Sequence, residues 1–126
     1  MKKSILKDKS KAFALRAIRL YKYLCEEKKE YVLSKQMLRS GTSIGANIAE
    51  AFYGQSVADF MSKHSIAQKE TSETMYWLEL LHESEYLELK EFNSVYSDIE
   101  ELMKLLTSSI KTVKEKMRQT NLITNH

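Results

Sequence analysis

Arg39-Ser40-Gly41-Thr42-Ser43-Ile44-Gly45-Ala46-Asn47-Ile48-Ala49-Glu50 packs polar side chains and small residues into close order. On a helix turning about 100° per residue, Gln36, Arg39, Ser43, Asn47, Glu50 and Gly54 share one stripe roughly 80° wide. Leu33, Met37, Ile44, Ile48, Ala51 and Phe52 fall on a separate apolar face. A narrow polar stripe beside small residues fits a helix wedged among others, with its polar atoms paired rather than solvated.

Working outward, the same helical spacing recurs along the chain. A first segment over about 10–28 carries Phe13, Ala17, Leu20, Tyr21 and Leu24. The second covers about 33–53, with Ser34 as a candidate early cap, and breaks at Gly54-Gln55. Ser56-Val57-Ala58-Asp59 is a capping-box variant that opens a third segment, about 57–85. Its periodic residues are Phe60, His64, Ala67, Thr71, Thr74, Leu78 and Leu81. A fourth, about 90–118, has no good cap but a sustained seam from Phe92 through Val95, Ile99, Leu102, Leu106 and Ile110 to Val113 and Met117.

The chain has 126 residues, no proline, three glycines and many strong helix formers, which excludes a multi-stranded sheet protein and suits one domain. Short links force neighbouring helices to run antiparallel. The expected fold is therefore all-α, an antiparallel up-down-up-down four-helix bundle of helices roughly 30 Å long. The lone Cys25 excludes an internal disulfide and serves as apolar filler. No apolar run reaches the ~20 residues of a membrane span, and no signal-peptide core is present, so a cytoplasmic setting is expected.

The net charge of +3 hides a segregation. Residues 1–22 hold eight Lys/Arg against Asp8, and residues 104–126 hold five against Glu115, whereas the middle carries fifteen acids and seven bases. In an up-down-up-down bundle both basic ends and the Gly54 turn meet at one pole, and Glu26, Glu27, Glu30, Glu83, Glu85, Glu88 and Glu91 gather at the other. Candidate phosphate contacts at the basic pole are Lys2, Lys3, Lys7, Lys9, Lys11, Arg16, Arg19, Lys114, Lys116 and Arg118. The bland alternative is a solvated tail that aids solubility.

Folding the second and third helices about Gly54-Gln55 makes facing residue numbers add to roughly 109. Arg39 then lies opposite Glu70 and Gln36 opposite Glu73, predicting a partly buried Arg39–Glu70/Glu73 network with Asn47 bonded nearby. Losing one member of a fully buried network costs ~3–5 kcal/mol; a surface pair costs under ~1 kcal/mol.

Leu38-Arg39-Ser40…Ser43-Ile44-x-Ala46-Asn47-Ile48-Ala49-Glu50 resembles the signature of the bacterial four-helix-bundle family encoded in 23S rRNA intervening sequences. Phe60…Ser65-Ile66-Ala67-x-Lys69-Glu70-x-x-Glu73-Thr74-x-Tyr76-Trp77-Leu78-x-Leu80-Leu81 is similar to that family's third helix, and the match extends over about residues 10–115. Ala51 departs from the pattern, where the family commonly has Gly. The resemblance implies a bundle that assembles as a homopentamer and for which no enzymatic activity is established. A distant relative of the fold, the accessory protein of diversity-generating retroelements, works with a reverse transcriptase and RNA, which is an analogy of fold only.

Other chemistry weighs less. Glu79-x-x-His82 is a single di-iron-type pair where such bundles need two, so no metal or other cofactor is expected. Ser40, Ser43 and His64 lack any nucleophile elbow, and Glu70 and Glu73 face an arginine, so catalysis is not expected. Tyr76 and Trp77 suit a packing contact better than a base stack. Tyr53 is the tyrosine best placed for a ligand. The structural signature is thus Arg39, Ser43, Asn47, Glu50, Glu70, Glu73 and Trp77. The expected role is a non-enzymatic protein associating with structured RNA or a ribonucleoprotein through its basic pole, without membrane or small-molecule substrate. The alternative is a homo-oligomeric scaffold or accessory subunit for a protein partner, without nucleic-acid binding.

Overall fold

The computed structural model describes residues 4–54 and 56–124, with side chains to Thr120. These residues form four α-helices and no strand: α1 (Ile5–Glu26), α2 (Leu33–Phe52), α3 (Val57–Glu83) and α4 (Leu89–Thr124). No helix among them is long and apolar enough to cross a membrane.

α1 begins five residues earlier than the apolar spacing predicts. Ser4 caps it, its Oγ accepting from the Lys7 N–H at 3.1 Å, and Asp8 sits in the first turn where the helix dipole favours an acid. The lysine-rich start is thus helical, with Leu6 and Ser10 buried. α1 ends near Lys29, a residue in the left-handed region (φ 55°), and the Glu30 N–H then closes on the Leu24 carbonyl at 3.0 Å.

Ser34 does not cap α2. That role falls to the buried Glu30, whose carboxylate accepts from the N–H groups of Val32, Leu33 and Ser34 at 3.1, 2.9 and 2.7 Å. Ser34 Oγ donates back to the Glu30 carbonyl at 2.8 Å. Burial alone would raise this carboxyl, but the three backbone donors outweigh it and hold Glu30 below the ordinary glutamate range. Glu30 therefore turns inward instead of joining an acidic surface. Ser56 caps α3 through the Asp59 N–H at 3.1 Å. α3 ends at Glu83, and the chain turns away at Glu85 (φ 71°), where the Tyr86 and Leu87 N–H groups both reach the Leu81 carbonyl. Gln55 lies outside the described residues.

Each helix packs against two others: α2 against α1 and α3, and α4 against α3 and α1. The shared core is built from Leu24, Met37, Ile44, Ile48, Leu78, Leu81, Ile99, Leu102 and Leu106, all essentially without solvent contact. Burying each such side chain stabilises the fold by ~1.5–3 kcal/mol. α1 and α2 approach closely because Gly41 has no Cβ; one placed there would lie 3.2 Å from the Ala17 Cβ.

α4 is longer than its neighbours. Its 36 residues span roughly 54 Å, not the ~30 Å expected. Among its described side chains Ile110 is the last buried one, and Lys111 to Thr120 are exposed except for the half-buried Val113.

Candidate functional site

The Arg39–Glu50 stripe binds mostly to its own helix. Ser43 Oγ donates to the Arg39 carbonyl at 2.7 Å, and Asn47 Nδ2 donates to the Ser43 carbonyl at 2.9 Å. Asn47 is therefore not part of the charge network. Glu50 instead meets Lys63 of α3 at 2.8 Å. The buried tie between α2 and α3 is Thr74 Oγ1, which donates to Ser40 Oγ at 2.7 Å.

Arg39 reaches Glu73 at 2.7 Å and Glu70 at 3.7 Å, so Glu73 rather than Glu70 is its closer partner. Arg39 and Glu70 add to the predicted 109, whereas the other α2–α3 pairs add to 112–114, up to about one helical turn away. Phe60 in the first turn of α3 meets Phe52 at the end of α2 with the same offset, 5.8 Å between ring centroids. Arg39 stays 53% exposed while Glu70 is only 16% exposed, so the network is a surface pair anchored on a half-buried acid.

Desolvation raises Glu70, helped by its contact with Glu73 and opposed by Arg39. The contact with Glu73 favours a proton on the Glu70 carboxyl, which then donates to Glu73. Burial alone would also raise Glu73, but the hydrogen bonds from Glu70 and Arg39 outweigh it and lower the group. Trp77 is half-buried beside Tyr76, its ring edge-on at 5.3 Å, and its buried Nε1 helps hold Glu73 low.

The candidate phosphate contacts divide into two groups. Lys9 pairs with Glu101 at 3.1 Å, and Arg16 is held by Asp98 at 2.7 Å, by Glu91 at 3.5 Å and by Ser94. Arg118 meets Glu115 at 3.4 Å. Lys7 is placed over the rings of Phe52 and Tyr53, 5.5 Å from each centroid. Among the described residues no ion pair engages Lys11, Arg19, Lys114 or Lys116. Lys2 and Lys3 lie outside the described residues.

Lys7 over Phe52 and Tyr53 brings the start of α1 to the end of α2. A groove of about 760 Å³ joins the end of α2, the start of α3 and residues 113–120 of α4 at the same place. Phe52, Val57, Phe60, Val113 and Met117 make it largely apolar, with Lys116 on its rim. The periodicity placed Val113 and Met117 in the bundle seam; both instead face this groove.

The sequence model of the 23S rRNA-intervening sequence protein family matches residues 2–108. The chain belongs to that family. Its fold is also similar to a crystal structure from Bacteroides thetaiotaomicron, described as a protein of unknown function from the S23 ribosomal protein family. The two share 56% identity with a TM-score of 0.84, over 85% of this chain and 96% of that one. No curated protein matches the sequence.

In this 23S rRNA-intervening sequence family member, Glu79 and His82 have structural partners. Glu79 accepts from the Tyr96 hydroxyl, which burial and the adjacent carboxylate push up to about 12. His82 Nδ1 donates to the Leu87 carbonyl at 2.9 Å and stacks on Phe92 at 4.5 Å. Among the described residues no group of three or more His, Cys, Asp or Glu is arranged to hold a metal. His64 is fully buried, stacked on Phe60 at 4.0 Å, and desolvation lowers it toward the neutral form. Sequence reasoning missed Glu30 and the apolar groove. Glu30 sits three residues before Leu33, a capping offset hidden in a run of charges.

Proposed function

We propose that this protein is a non-enzymatic, RNA- or ribonucleoprotein-associated member of its family, contacting phosphate through the pole where α1 starts and α4 ends. One observation carries the reading. At the pole Lys9 and Arg118 meet acids, but among the described residues no ion pair engages Lys11, Lys114 or Lys116. Unneutralised lysines are what a phosphate backbone recruits, and the absence of a base-reading motif makes the contact one of charge and shape.

This reading includes an antiparallel up-down-up-down course. The pairs Arg39–Glu73 and Glu50–Lys63 support it, because the number rises on α2 as it falls on α3. It also includes a cytoplasmic homopentamer, supported by the family resemblance, in which like poles set together would multiply the positive charge.

The test is an electrophoretic titration of a folded RNA at low salt. Wild type should form a complex, and a Lys11→Glu, Lys114→Glu, Lys116→Glu variant should not. Equal binding by that variant would move the contact elsewhere, and no binding by wild type would remove the reading.

A second reading, a scaffold or accessory subunit for a protein partner, is favoured by the apolar side chains exposed at the same pole. Tyr53 is 79% exposed, Val57 51%, Phe52 45% and Met117 42%. A phosphate backbone has no use for such a surface.

A further inference from the structure

We propose that the groove between the α2–α3 turn and the distal part of α4 is a docking site for an amphipathic helix of a partner protein. The partner helix carries an apolar stripe flanked by acidic side chains and takes the position beside α4 that α1 leaves open.

Helix lengths create the vacancy. The Ser4 cap stops α1 at Ile5. Lys9 meets Glu101, so in the antiparallel register Ile5 comes level with about Leu105. α4 runs on to Thr124, so its last turns have the start of α3 and the end of α2 beside them. No α1 residue is among those lining the groove. Ile110, Val113 and Met117 continue the bundle seam at helical spacing past the level of α4 that the start of α1 reaches. A concave apolar slot between helices, with anchors at that spacing, is the geometry that receives a helix. The lining stretch of α4, residues 113–120, is about two turns long.

Charge selects the partner. The exposed stretch of α4 carries Lys111, Lys114, Lys116 and Arg118 against Glu115, and the first turns of α1 carry Lys7 and Lys11 against Asp8, with Lys9 held by Glu101. An occupant with acidic flanks is attracted to both rims. The distal α4 of a second copy carries the same positive excess and is repelled, which disfavours self-docking. The family match ends at residue 108, so the α4 wall of the groove lies beyond the region this chain shares with the family model. The docking site is therefore argued from this chain's own extension.

The test is fluorescence anisotropy with a labelled, side-chain-stapled 18-residue helical peptide bearing Leu at i, i+3, i+4 and i+7 and Glu on both flanks. A twin with Lys replacing every Glu is the control. The full-length protein should bind the acidic peptide saturably at physiological salt and the lysine twin roughly tenfold or more weakly. Val57→Glu and Met117→Glu should each weaken the acidic peptide by roughly tenfold or more. Both residues are exposed, and unchanged helical circular dichroism and unfolding midpoint would show that the fold survives. Equal binding of the twins, or indifference to both substitutions, would overturn the proposal. So would peptide-free self-association lost in Met117→Glu, which would make the occupant a second copy. Binding of anionic vesicles, but not the peptide, through Met117 would make it a lipid surface and equally overturn it. RNA binding that persists in Met117→Glu would leave the phosphate contact standing independently of this result.

Discussion

Thr74 Oγ1 donates to Ser40 Oγ at 2.7 Å, both side chains fully buried, and this bond fastens the family signature on α2 to α3. Thr74 also donates to the Glu70 carbonyl one turn earlier, at 2.8 Å, so its single proton is shared between the two. Replacing Thr74 by Val keeps the volume but leaves Ser40 with only a long bond to the Met37 carbonyl, 3.4 Å. Thr74→Val should lose about 1–2 kcal/mol in urea unfolding. A Thr74→Val/Ser40→Ala cycle should show coupling of at least ~0.5 kcal/mol. Additive losses would mean that the two hydroxyls act separately.

At the other α2 seam, a Cβ on Gly41 would meet Ala17 at 3.2 Å and Phe13 at 3.5 Å. Alanine there needs a shift of a few tenths of an ångström, whereas leucine forces α1 and α2 apart. Gly41→Leu should cost ~3 kcal/mol or more, beyond the usual range for overpacking, because two helix backbones must move. Thermal unfolding followed by circular dichroism measures it, and a wild-type midpoint would show that the seam is loose.

Glu30 gives a pH signature. The native state keeps this carboxyl ionised below the ordinary value of 4.5, through three backbone donors that the unfolded chain lacks. Its contribution is therefore complete above pH 4.5 and fades as the pH falls toward the lowered native value. Glu30→Ala should cost about 2 kcal/mol at pH 7, with the difference from wild type shrinking in acid. Urea titrations at pH 7 and pH 3.5, read by the emission of the single tryptophan, check both statements.

Arg39→Ala should cost less than ~1 kcal/mol, because the guanidinium is more than half in solvent and pays little desolvation. Glu70 behaves differently. Its raised carboxyl binds a proton more tightly in the fold than in the unfolded chain, so its favourable contribution is full below pH 4.5 and is lost as the pH rises through the raised value. Glu73, lowered by the same contact, works in the opposite direction, and the two titrate as a unit. Glu70→Gln keeps a donor for Glu73 without the buried charge. It should be at least as stable as wild type at pH 7 and should lose the wild-type decline between pH 4.5 and pH 7. A decline of equal size in the variant would assign it to other groups.

Much of this molecule was legible in the sequence because apolar spacing survives any tertiary detail. His64, Ala67, Thr71, Thr74, Leu78 and Leu81, aligned by period alone, are the buried residues of α3. Val95, Ile99, Leu102, Leu106 and Ile110 likewise form the buried seam of α4. What escaped depended on single contacts. The Ser4 cap was hidden by the lysines after it, so the start of α1 resembled a tail. Glu30 acts across a link, where no periodicity marks it. Lys9 and Arg16 looked available for phosphate, but Glu101 and Asp98 are more than eighty residues away in sequence. Val113 and Met117 followed the period, yet period does not tell whether a neighbouring helix is long enough to cover them.

Phosphate binding by charge at the pole would show itself in the salt dependence of RNA affinity. If Lys7, Lys11, Lys114 and Lys116 each replace a counterion on duplex RNA, the logarithm of the binding constant should fall against the logarithm of salt concentration with a slope of roughly −3 to −4 per protomer. Lys114→Glu with Lys116→Glu should flatten that slope by about 2. A slope near zero in the wild type, or one unchanged in the double variant, would contradict the account.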